Sequence, residues 1–325
     1  MDKTPNTPAT LIDAVRYFSD PDVCLSFLVA LRWPDGNVTC PHCGSREVAF
    51  LSTYRRWLCR EGHARPQFSI KVGTIFEDSP IPLDKWLPAV WLIVNDKNGI
   101  SSYEVARALG ITQKSAWFMM HRIRLAMQRG TLDKFSGEVE ADETFIGGKS
   151  RFMHKERRAA KIKGTGGMGK VAVMGLLERH GPDKTSRVKV GVVVTRRKGE
   201  LHAEVRQHVA PGSALYTDAL KSYEGLGPDY LHEVIDHAES YVRGKVHTNG
   251  LENFWSLLKR ALKGTYVSVE PFHLFRYLDE QAFRFNHRKH MTDADRFSEV
   301  VRGIVGKRLT YQDLIGALSA GTAPV

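Results

Sequence analysis

Apolar residues recur at intervals of three or four positions in two neighbouring stretches, 100–110 and 111–128. The repeated residues are Val105, Ala108 and Leu109 in the first stretch, and Ala116, Met119, Met120 and Ile123 in the second. This spacing predicts two helices that each bury one face. Because a short link at Gly110 and Ile111 joins them, the pair has the pattern of a helix-turn-helix, whose second helix enters the major groove of DNA. An ordinary helical hairpin has the same pattern.

A period-two pattern replaces the helical one at residues 138–146. It places Glu138, Glu140, Asp142 and Thr144 on one face of a strand, and Val139, Ala141, Glu143 and Phe145 on the other. Residues 171–179 and 188–196 are rich in valine and other residues that favour strands, and they predict two more. A helix over 199–209, a strand that ends at Asp218 and a short strand over 232–240 follow.

A long amphipathic helix is predicted over residues 247–266. Its buried face carries Leu251, Phe254, Leu258 and Leu262, and a neighbouring stripe carries Glu252, Trp255 and Lys259. Strands followed by alternating helices and strands predict a mixed α/β layer with helices packed on its sheet. We therefore expect an α/β fold for this half of the chain.

The charge of the chain favours a polyanionic partner. Among 325 residues, Lys and Arg number 47 and Asp and Glu number 36, which leaves a net charge of +11. Such a surplus points to nucleic acid more often than to a membrane surface, although a soluble protein that is merely basic is the alternative. No apolar stretch is long enough to span a bilayer, and the first residues lack a signal-peptide pattern, so we expect a cytoplasmic protein without a membrane partner.

The cysteines are spaced as metal ligands. Cys40 and Cys43 form a C-x2-C pair, and Cys59 and His63 form a C-x3-H pair further along. Two such pairs are the ligand set of a closed, tetrahedral structural Zn²⁺ site, whereas disulfides are rare in the cytoplasm. His42 competes with His63 as the fourth ligand, and His63 is preferred because it completes the second pair.

Basic and polar residues of the helical and loop regions are candidates for contacts with DNA. Gln113, Lys114 and Ser115 open the predicted second helix and are expected to reach base edges, whereas Arg122 and Arg124 are expected to meet phosphates. Lys149 opens a stretch, residues 149–170, that holds eight Lys or Arg against one Glu. We expect this stretch to be a loop near DNA.

Three carboxylates occupy distinct positions in the predicted α/β layer. Asp142 lies within the first strand, Asp218 at the end of a later strand, and Glu252 on the helix that follows. If they converge, their repulsion requires cations among them, and carboxylate oxygens select Mg²⁺ or Mn²⁺. Two such ions about 4 Å apart stabilise both the attacking and the leaving oxygen of a phosphoryl transfer. Alternation along the first strand does not separate Asp142 from Glu140 as a ligand.

Several blocks of sequence, in this order, resemble one family. They are CPHCG and CREGH (40–44 and 59–63), QFSIKVGTIFEDSPIPLDKW (67–86), ADETFIGGK (141–149), YTDALKSY (216–223), HTNGLENFWSLLKR with KGTY (247–260 and 263–266), and RYLDEQAFRFNHR (276–288). With these blocks the chain resembles, nearly end to end, the bacterial insertion-sequence DDE transposases of the IS 1595 group. The resemblance implies an N-terminal helix and zinc ribbon over 1–78, a helix-turn-helix-like DNA-binding region over 79–132, and a ribonuclease-H-like catalytic domain with C-terminal helices over 133–325.

The resemblance also implies residue roles. The family's acidic triad falls on Asp142, Asp218 and Glu252, which selects Asp142 over Glu140. The family also has a lysine seven positions after the third acid, and this lysine falls on Lys259. The implied reaction cuts DNA at the terminal inverted repeats of the element and joins the 3′ hydroxyl to target DNA, with two Mg²⁺ or Mn²⁺ ions. Because two transposon ends must be held together, a homo-oligomer on DNA is also implied.

Two other functions fit the same residues. A DNA-binding regulator would use the zinc ribbon and the helix-turn-helix and keep the α/β domain as a scaffold, although three separated acids argue against it. A ribonuclease-H-fold nuclease would hydrolyse DNA without joining strands. The roles of some neighbours stay open: His247 and Asn249 fit DNA contacts or a helix cap equally, and Trp255 fits a buried position or stacking on a base.

Overall fold

The computed structural model describes residues 7–128, 133–147, 154–156, 170–180, 185–235 and 247–316. The chain divides into two compact units, one formed by Met1–Arg129 with His290–Val325 and the other by Gly130–Lys289. Within the described ranges, no helix is long and apolar enough to cross a membrane.

The first unit combines helices with a small sheet. Its helices are α1 (Leu11–Tyr17), α2 (Pro21–Arg32), α3 (Leu83–Asn95), α4 (Ser102–Leu109), α5 (Gln113–Met127), α9 (Asp293–Arg302) and α10 (Tyr311–Leu314). The strands β1 (Val48–Leu51), β2 (Arg56–Cys59) and β3 (Gln67–Phe68) form an antiparallel sheet in the order β1-β2-β3.

An aromatic cluster ties the C-terminal helices to the first unit. Phe297 of α9 is fully buried against Phe18, Phe27 and Trp91, with ring centroids between 5.1 and 6.0 Å apart across this cluster. The sequence-based boundaries assign residues 133–325 to the catalytic domain, whereas residues 290–325 belong to the first unit of the structure. The apolar face of α9 is buried on helices that precede residue 96, so chain order is a poor guide to this boundary.

Helices α4 and α5 match the two helices predicted from the apolar spacing. A capping box between Ser101 and Glu104 begins α4, and Gly110 ends it in the left-handed region at φ 60°. The Thr112 side chain accepts a hydrogen bond from the Ser115 N–H and begins α5. The two helices pack against each other and against α3.

The second unit is built on a five-stranded mixed sheet in the order β6-β5-β4-β7-β8. Its strands are β4 (Glu138–Ile146), β5 (Val171–Glu178), β6 (Arg187–Val193), β7 (Ala214–Asp218) and β8 (Leu231–Ile235). The first three pair antiparallel, and β7 and β8 continue in parallel from β4. This is the mixed sheet that the ribonuclease-H-like prediction requires.

Helices cover both faces of this sheet. They are α6 (Lys198–His208), α7 (Asn249–Gly264) and α8 (Leu274–Asn286). One face buries Val139 and Ala141 of β4 with Leu201 and Val205 of α6. The other face buries β5 and β6 against α7 and α8 through the residues Val173, Leu177, Val188, Leu251, Phe254, Trp255, Leu278 and Phe285. The central strand β4 therefore lies between two cores, and its polar residues Glu140 and Asp142 are on the face that α7 covers.

Candidate metal centres and nucleic-acid interface

Three carboxylates are delivered to one end of the mixed sheet by three different elements. Asp142 lies in β4, Asp218 is the last residue of β7, and Glu252 lies in the first turn of α7. Strands β4 and β7 are parallel and pair through Ala141 and Thr217, the residues just before the two aspartates. The register thus brings Asp142 and Asp218 side by side at the point where β7 ends.

Asp218 and Glu252 both lie within electrostatic reach of Asp142. The pKa of Asp142 is raised to about 6, chiefly by burial and also by the charges of Asp218 and Glu252, while the hydrogen bonds from Trp255 and the Glu143 backbone lower it. Nearby like charges disfavour the ionised form of a carboxyl group. The structure therefore brings together the three acids that the sequence separates by 76 and 34 positions.

Hydrogen bonds fix the orientation of the two aspartates. The Trp255 Nε1–H donates to Asp142 Oδ2 at 2.9 Å, and the Glu143 N–H donates to Asp142 Oδ1 at 2.8 Å. The Leu220 N–H donates to Asp218 Oδ1 at 3.1 Å. Trp255 is only 4% exposed, so in this structure the indole is buried and orients Asp142. Of the two alternatives for Trp255, the structure favours the buried position.

A glycine opposite Asp142 allows α7 to approach the sheet. Gly175 of β5 pairs with Asp142. A Cβ atom at this position would lie 2.7 Å from the Trp255 ring and 2.8 Å from Leu251. Any side chain here would push away the helix that carries Glu252, so Gly175 is a functional position that the sequence patterns did not reveal.

Glu143 is a fourth carboxyl group near the site, although strand alternation had separated it from the metal-facing set. Its pKa is raised to about 7, chiefly by burial and also by the charges of Asp218 and Asp142. The hydroxyl of Tyr223, itself buried, donates to Glu143 Oε1. The pairing of β4 with β7 ends at Ala141. Glu143 therefore lies beyond the paired part of β4 on this side, where its side chain can approach Asp218. Alternation gave the face of Glu143 but not its distance from Asp218.

Lys259 lies two turns beyond Glu252 on α7 and is half-buried. Burial lowers its pKa, as do the charges of Lys263 and Lys170, whereas Asp142 raises it. The lysine is therefore within electrostatic reach of the acidic site. Lys170 and Lys263 lie close enough to lower the pKa of Lys259, and they add positive charge beside it.

Glu140 shares a face of β4 with Asp142 but has different surroundings. It is 1% exposed and pairs with Arg179, with 2.6 Å between Glu140 Oε1 and Arg179 Nε. Asp142 is half-buried and faces the other two acids. The structure thus separates two residues that strand alternation left equivalent.

A second cluster of metal-type ligands lies in the first unit. One ligand atom from each of Cys40, Cys43, Cys59 and His63 lies within 4.8 Å of the other three. Cys40 Sγ is 3.4 Å from His63 Nε2, and Cys43 Sγ is 3.6 Å from Cys59 Sγ. A tetrahedral Zn²⁺ ion with ordinary bond lengths separates its ligand atoms by about 3.5–3.8 Å. The donor set and the spacing fit zinc.

His63, and not the exposed His42, supplies the nitrogen of this cluster. Burial alone would raise the pKa of Cys40, but hydrogen bonds from the backbone at His42 and Cys43 and from the side chains of Cys43 and His63 lower it to about 7. The neighbouring Cys59 thiol has a pKa raised to about 11, chiefly by burial, so Cys40 is the one of these two thiols that ionises more readily. The remaining cysteine, Cys24, is fully buried and donates to the Phe18 carbonyl, as expected of a core residue.

The residues predicted to reach base edges begin α5. Gln113 Nε2 donates to Ser102 Oγ of α4 at 2.8 Å, and Lys114 Nζ lies 4.8 Å from the centroid of the Tyr311 ring. Ser115 bonds to the Thr112 cap. Lys114 is exposed, whereas the Gln113 side chain joins α5 to α4 and Ser115 belongs to the cap of α5.

The structure differs from the expectation that Arg122 and Arg124 meet phosphates. Arg122 is 5% exposed and donates to the backbone carbonyls of Leu309, Ile75 and Glu77, and Arg124 is 1% exposed. Their guanidinium groups lie in the interior of the first unit, because α5 is covered on this side by segments distant in sequence. Lys149 lies outside the described residues.

Comparison with known proteins connects both clusters to one family. A family model for the ISXO2-like transposase domain matches residues 134–286, and a model for the transposase zinc-ribbon domain matches residues 19–64. Both models describe IS1595-type proteins, and together they span more than half of the chain. The chain belongs to the IS1595 family of transposases.

Individual relatives of this transposase agree. An uncharacterized protein in transposable element ISH50 of Halobacterium salinarum is 27% identical over 249 residues, which cover 73% of this chain and 81% of the relative. An uncharacterized transposase-like protein of Haemophilus influenzae is 29% identical over 118 residues, which cover 36% of this chain and 95% of that protein. In the transposase, the zinc-ribbon match contains all four ligands of the thiol cluster, and the transposase-domain match contains Asp142, Asp218, Glu252 and Lys259.

Proposed function

We propose that this transposase cuts DNA at the ends of an insertion sequence and joins the released 3′ hydroxyl to target DNA, with Asp142, Asp218 and Glu252 as its catalytic acids. The observation that carries the proposal is the convergence of these three carboxyl groups, from two strands and a helix, on one end of a ribonuclease-H-like sheet.

The donor set fits divalent cations. Three carboxyl groups offer hard oxygen ligands, and the raised pKa of Asp142 reflects burial and repulsion that a cation would relieve. Asp142, Asp218 and Glu252 would hold two Mg²⁺ or Mn²⁺ ions. Such ions, when bound, activate the attacking oxygen and stabilise the leaving oxygen of a phosphodiester displacement.

The surrounding residues of the chain orient this site and its DNA. The hydrogen bonds from Trp255 and from the Glu143 backbone engage both oxygens of Asp142 and fix the orientation of its carboxyl group. Lys259, within reach of the acids, would bind a DNA phosphate beside the scissile bond. A carboxylate-rich site repels DNA, so cationic side chains next to it are needed to hold the backbone.

The first unit would supply DNA recognition. The zinc ribbon, with Zn²⁺ held by Cys40, Cys43, Cys59 and His63, is a closed four-ligand site and therefore structural. The start of α5, with Gln113, Lys114 and Ser115, would enter the major groove of the terminal inverted repeat. A net charge of +11 suits a protein that holds two DNA ends and a target, and we propose that it works as a homo-oligomer on DNA.

The experiment uses full-length, zinc-loaded protein, Mg²⁺ and a duplex that ends in the inverted repeat of the element. We expect cleavage at the repeat and covalent joining to a second DNA, and loss of both in Asp142→Ala, Asp218→Ala and Glu252→Ala. Binding without cleavage would instead identify a DNA-binding regulator. Cleavage without joining would identify a nuclease.

A further inference from the structure

A buried ionic network holds the N-terminus of α7, the helix that carries Glu252. Its centre is Glu140, which is 1% exposed. Glu140 Oε2 accepts a hydrogen bond from the backbone N–H of Leu251 at 2.9 Å. Leu251 immediately precedes Glu252, so the carboxylate of one strand residue binds the backbone next to the third catalytic acid. A carboxylate at a helix N-terminus is also favoured by the helix dipole.

Arg179 extends the network to the residues before the helix. Its Nε lies 2.6 Å from Glu140 Oε1, and its Nη2 donates to the backbone carbonyl of His247. The same Nη2 lies 2.7 Å from His247 Nδ1, and the guanidinium stacks on the Tyr216 ring with 4.5 Å to the centroid. Arg179 thus joins β4, β7 and the entry to α7, and His247 acts here as part of a helix anchor.

Gly250 is required for this contact. A Cβ atom at residue 250 would lie 2.8 Å from Glu140 Oε2 and 3.0 Å from Glu140 Oε1. Glycine therefore lets the carboxylate reach the helix backbone. The segment 247–251 is shaped around Glu140 on the sheet.

We propose that Glu140 and Arg179 are positioning residues for the reaction, which set the first turn of α7 so that Glu252 faces Asp142 and Asp218. The inference rests on the proposed function, because it assumes that these acids hold divalent cations. Glu140 does not touch the cations in this account. It acts through the backbone of Leu251 and hence through Glu252.

A double-mutant cycle separates this role from a purely structural one. The readout is the affinity of full-length, zinc-loaded protein for Mn²⁺, measured by electron paramagnetic resonance of free Mn²⁺, beside the melting temperature. We expect Glu140→Gln to weaken Mn²⁺ binding by about tenfold or more, as is typical of residues that orient metal ligands. In a Glu252→Gln background, the same change should alter Mn²⁺ affinity by less than about twofold, because the residue through which it acts is gone.

Glu178→Gln is the matched control. Glu178 is also a buried carboxylate of this sheet, 2% exposed, with Arg187 as its ion-pair partner at 2.6 Å. Its change should lower the melting temperature and leave Mn²⁺ affinity unchanged. Gly250→Ala gives an independent route, since the added methyl group displaces the Glu140 carboxylate, and it should reproduce the loss seen in Glu140→Gln.

The outcomes are distinct. Equal losses of Mn²⁺ affinity from Glu140→Gln in the wild-type and Glu252→Gln backgrounds would overturn the positioning role, as would a melting change with no change in affinity. If Glu252→Gln alone bound Mn²⁺ like the wild type, the proposed metal site itself would fail, and the inference with it.

Discussion

The zinc-type cluster and the acidic site collect metal ligands in opposite ways. Cys40, Cys43, Cys59 and His63 come from one short stretch and lie within 4.8 Å of one another. The three acids come from two strands and a helix, and the charges of Asp218 and Glu252 help to raise the pKa of Asp142. The zinc-type cluster has four ligands and is closed. The acidic site consists of carboxylates that repel one another around the half-buried Asp142.

This difference explains what each site can do. A closed tetrahedral site leaves no position for a substrate, so its ion contributes to folding. Three carboxylates leave coordination positions for water and DNA on a bound ion. Without cations, the repulsion among the carboxylates destabilises the folded state. The surrounding protein must therefore hold the acids in place, and the contacts of Trp255, Gly175 and Glu140 do so.

The largest effect is expected from a substitution in the zinc-type cluster. Cys59→Ser should abolish zinc binding and unfold the zinc ribbon, because metal binding in small structural sites contributes on the order of 10 kcal/mol to folding. Zinc content by atomic absorption and proton NMR of the ribbon check this. Cys24→Ser is the control, since this buried thiol lies outside the cluster and its change should keep one zinc per chain.

Asp142→Asn should leave zinc content and fold intact and slow DNA cleavage by about a thousandfold, or about 4 kcal/mol in the activation barrier. Asparagine keeps the shape of the side chain and loses its charge. Single-turnover cleavage measures the effect. A variant that retained more than a tenth of the wild-type rate would contradict a catalytic role for Asp142.

Gly175→Ala should damage the acidic site and leave the zinc-type cluster intact. The new methyl group would meet Trp255 and Leu251 at less than 3 Å, which we expect to cost about 1–3 kcal/mol and to displace α7. Chemical denaturation and Mn²⁺ binding should both report the change. Gly191→Ala on β6 is the matched control, because nothing lies within 4 Å of a Cβ atom there.

The raised pKa values predict how pH acts on the metal-free protein. Asp142 and Glu143 titrate near 6 and 7 in the folded state, so between about pH 4 and 7 the folded state binds more protons than the unfolded chain. These groups therefore lower the free energy of unfolding as pH rises, by about 3 kcal/mol each. With chelator present, Asp142→Asn should stabilise the second unit relative to the wild type at pH 8 and not at pH 4. Thermal melts at both pH values check the sign, and an advantage at pH 4 only would contradict it.

Lys259→Ala should have the smallest effect. Loss of one phosphate contact is expected to weaken DNA binding by about tenfold at low salt and to reduce the dependence of binding on salt. Fluorescence anisotropy at several salt concentrations measures both quantities. Arg260→Ala removes the same charge from the next position of the helix, and an equal loss there would show that Lys259 has no special role.

The sequence predicted those parts of the molecule that local patterns encode. Ligand spacing identified the cluster of Cys40 to His63, and apolar periodicity placed the helix that became Asn249–Gly264. A strand that ends at Asp218 was also predicted and is confirmed. Each of these features depends on residues close together in the chain.

Features that depend on distant residues were not predictable in this way. Arg122 lies on a helix whose pattern suggests a solvent-facing charge, yet it donates to the carbonyl of Leu309, 187 positions away. Glu143 is on the opposite face of β4 from Asp142, but the end of β7 brings it near Asp218. The choice of Asp142 over Glu140 likewise came from the family resemblance and not from alternation.

The central claim is that Asp142 binds a divalent cation that DNA cleavage requires, and a change of metal tests it most directly. Asp142→Cys replaces a hard oxygen ligand by a thiolate, which accepts Mn²⁺ more readily than Mg²⁺. We expect this variant to be inactive in DNA cleavage with Mg²⁺ and to regain activity with Mn²⁺, while the wild type is active with both. Cleavage by Asp142→Cys at the wild-type rate in Mg²⁺ would contradict the account.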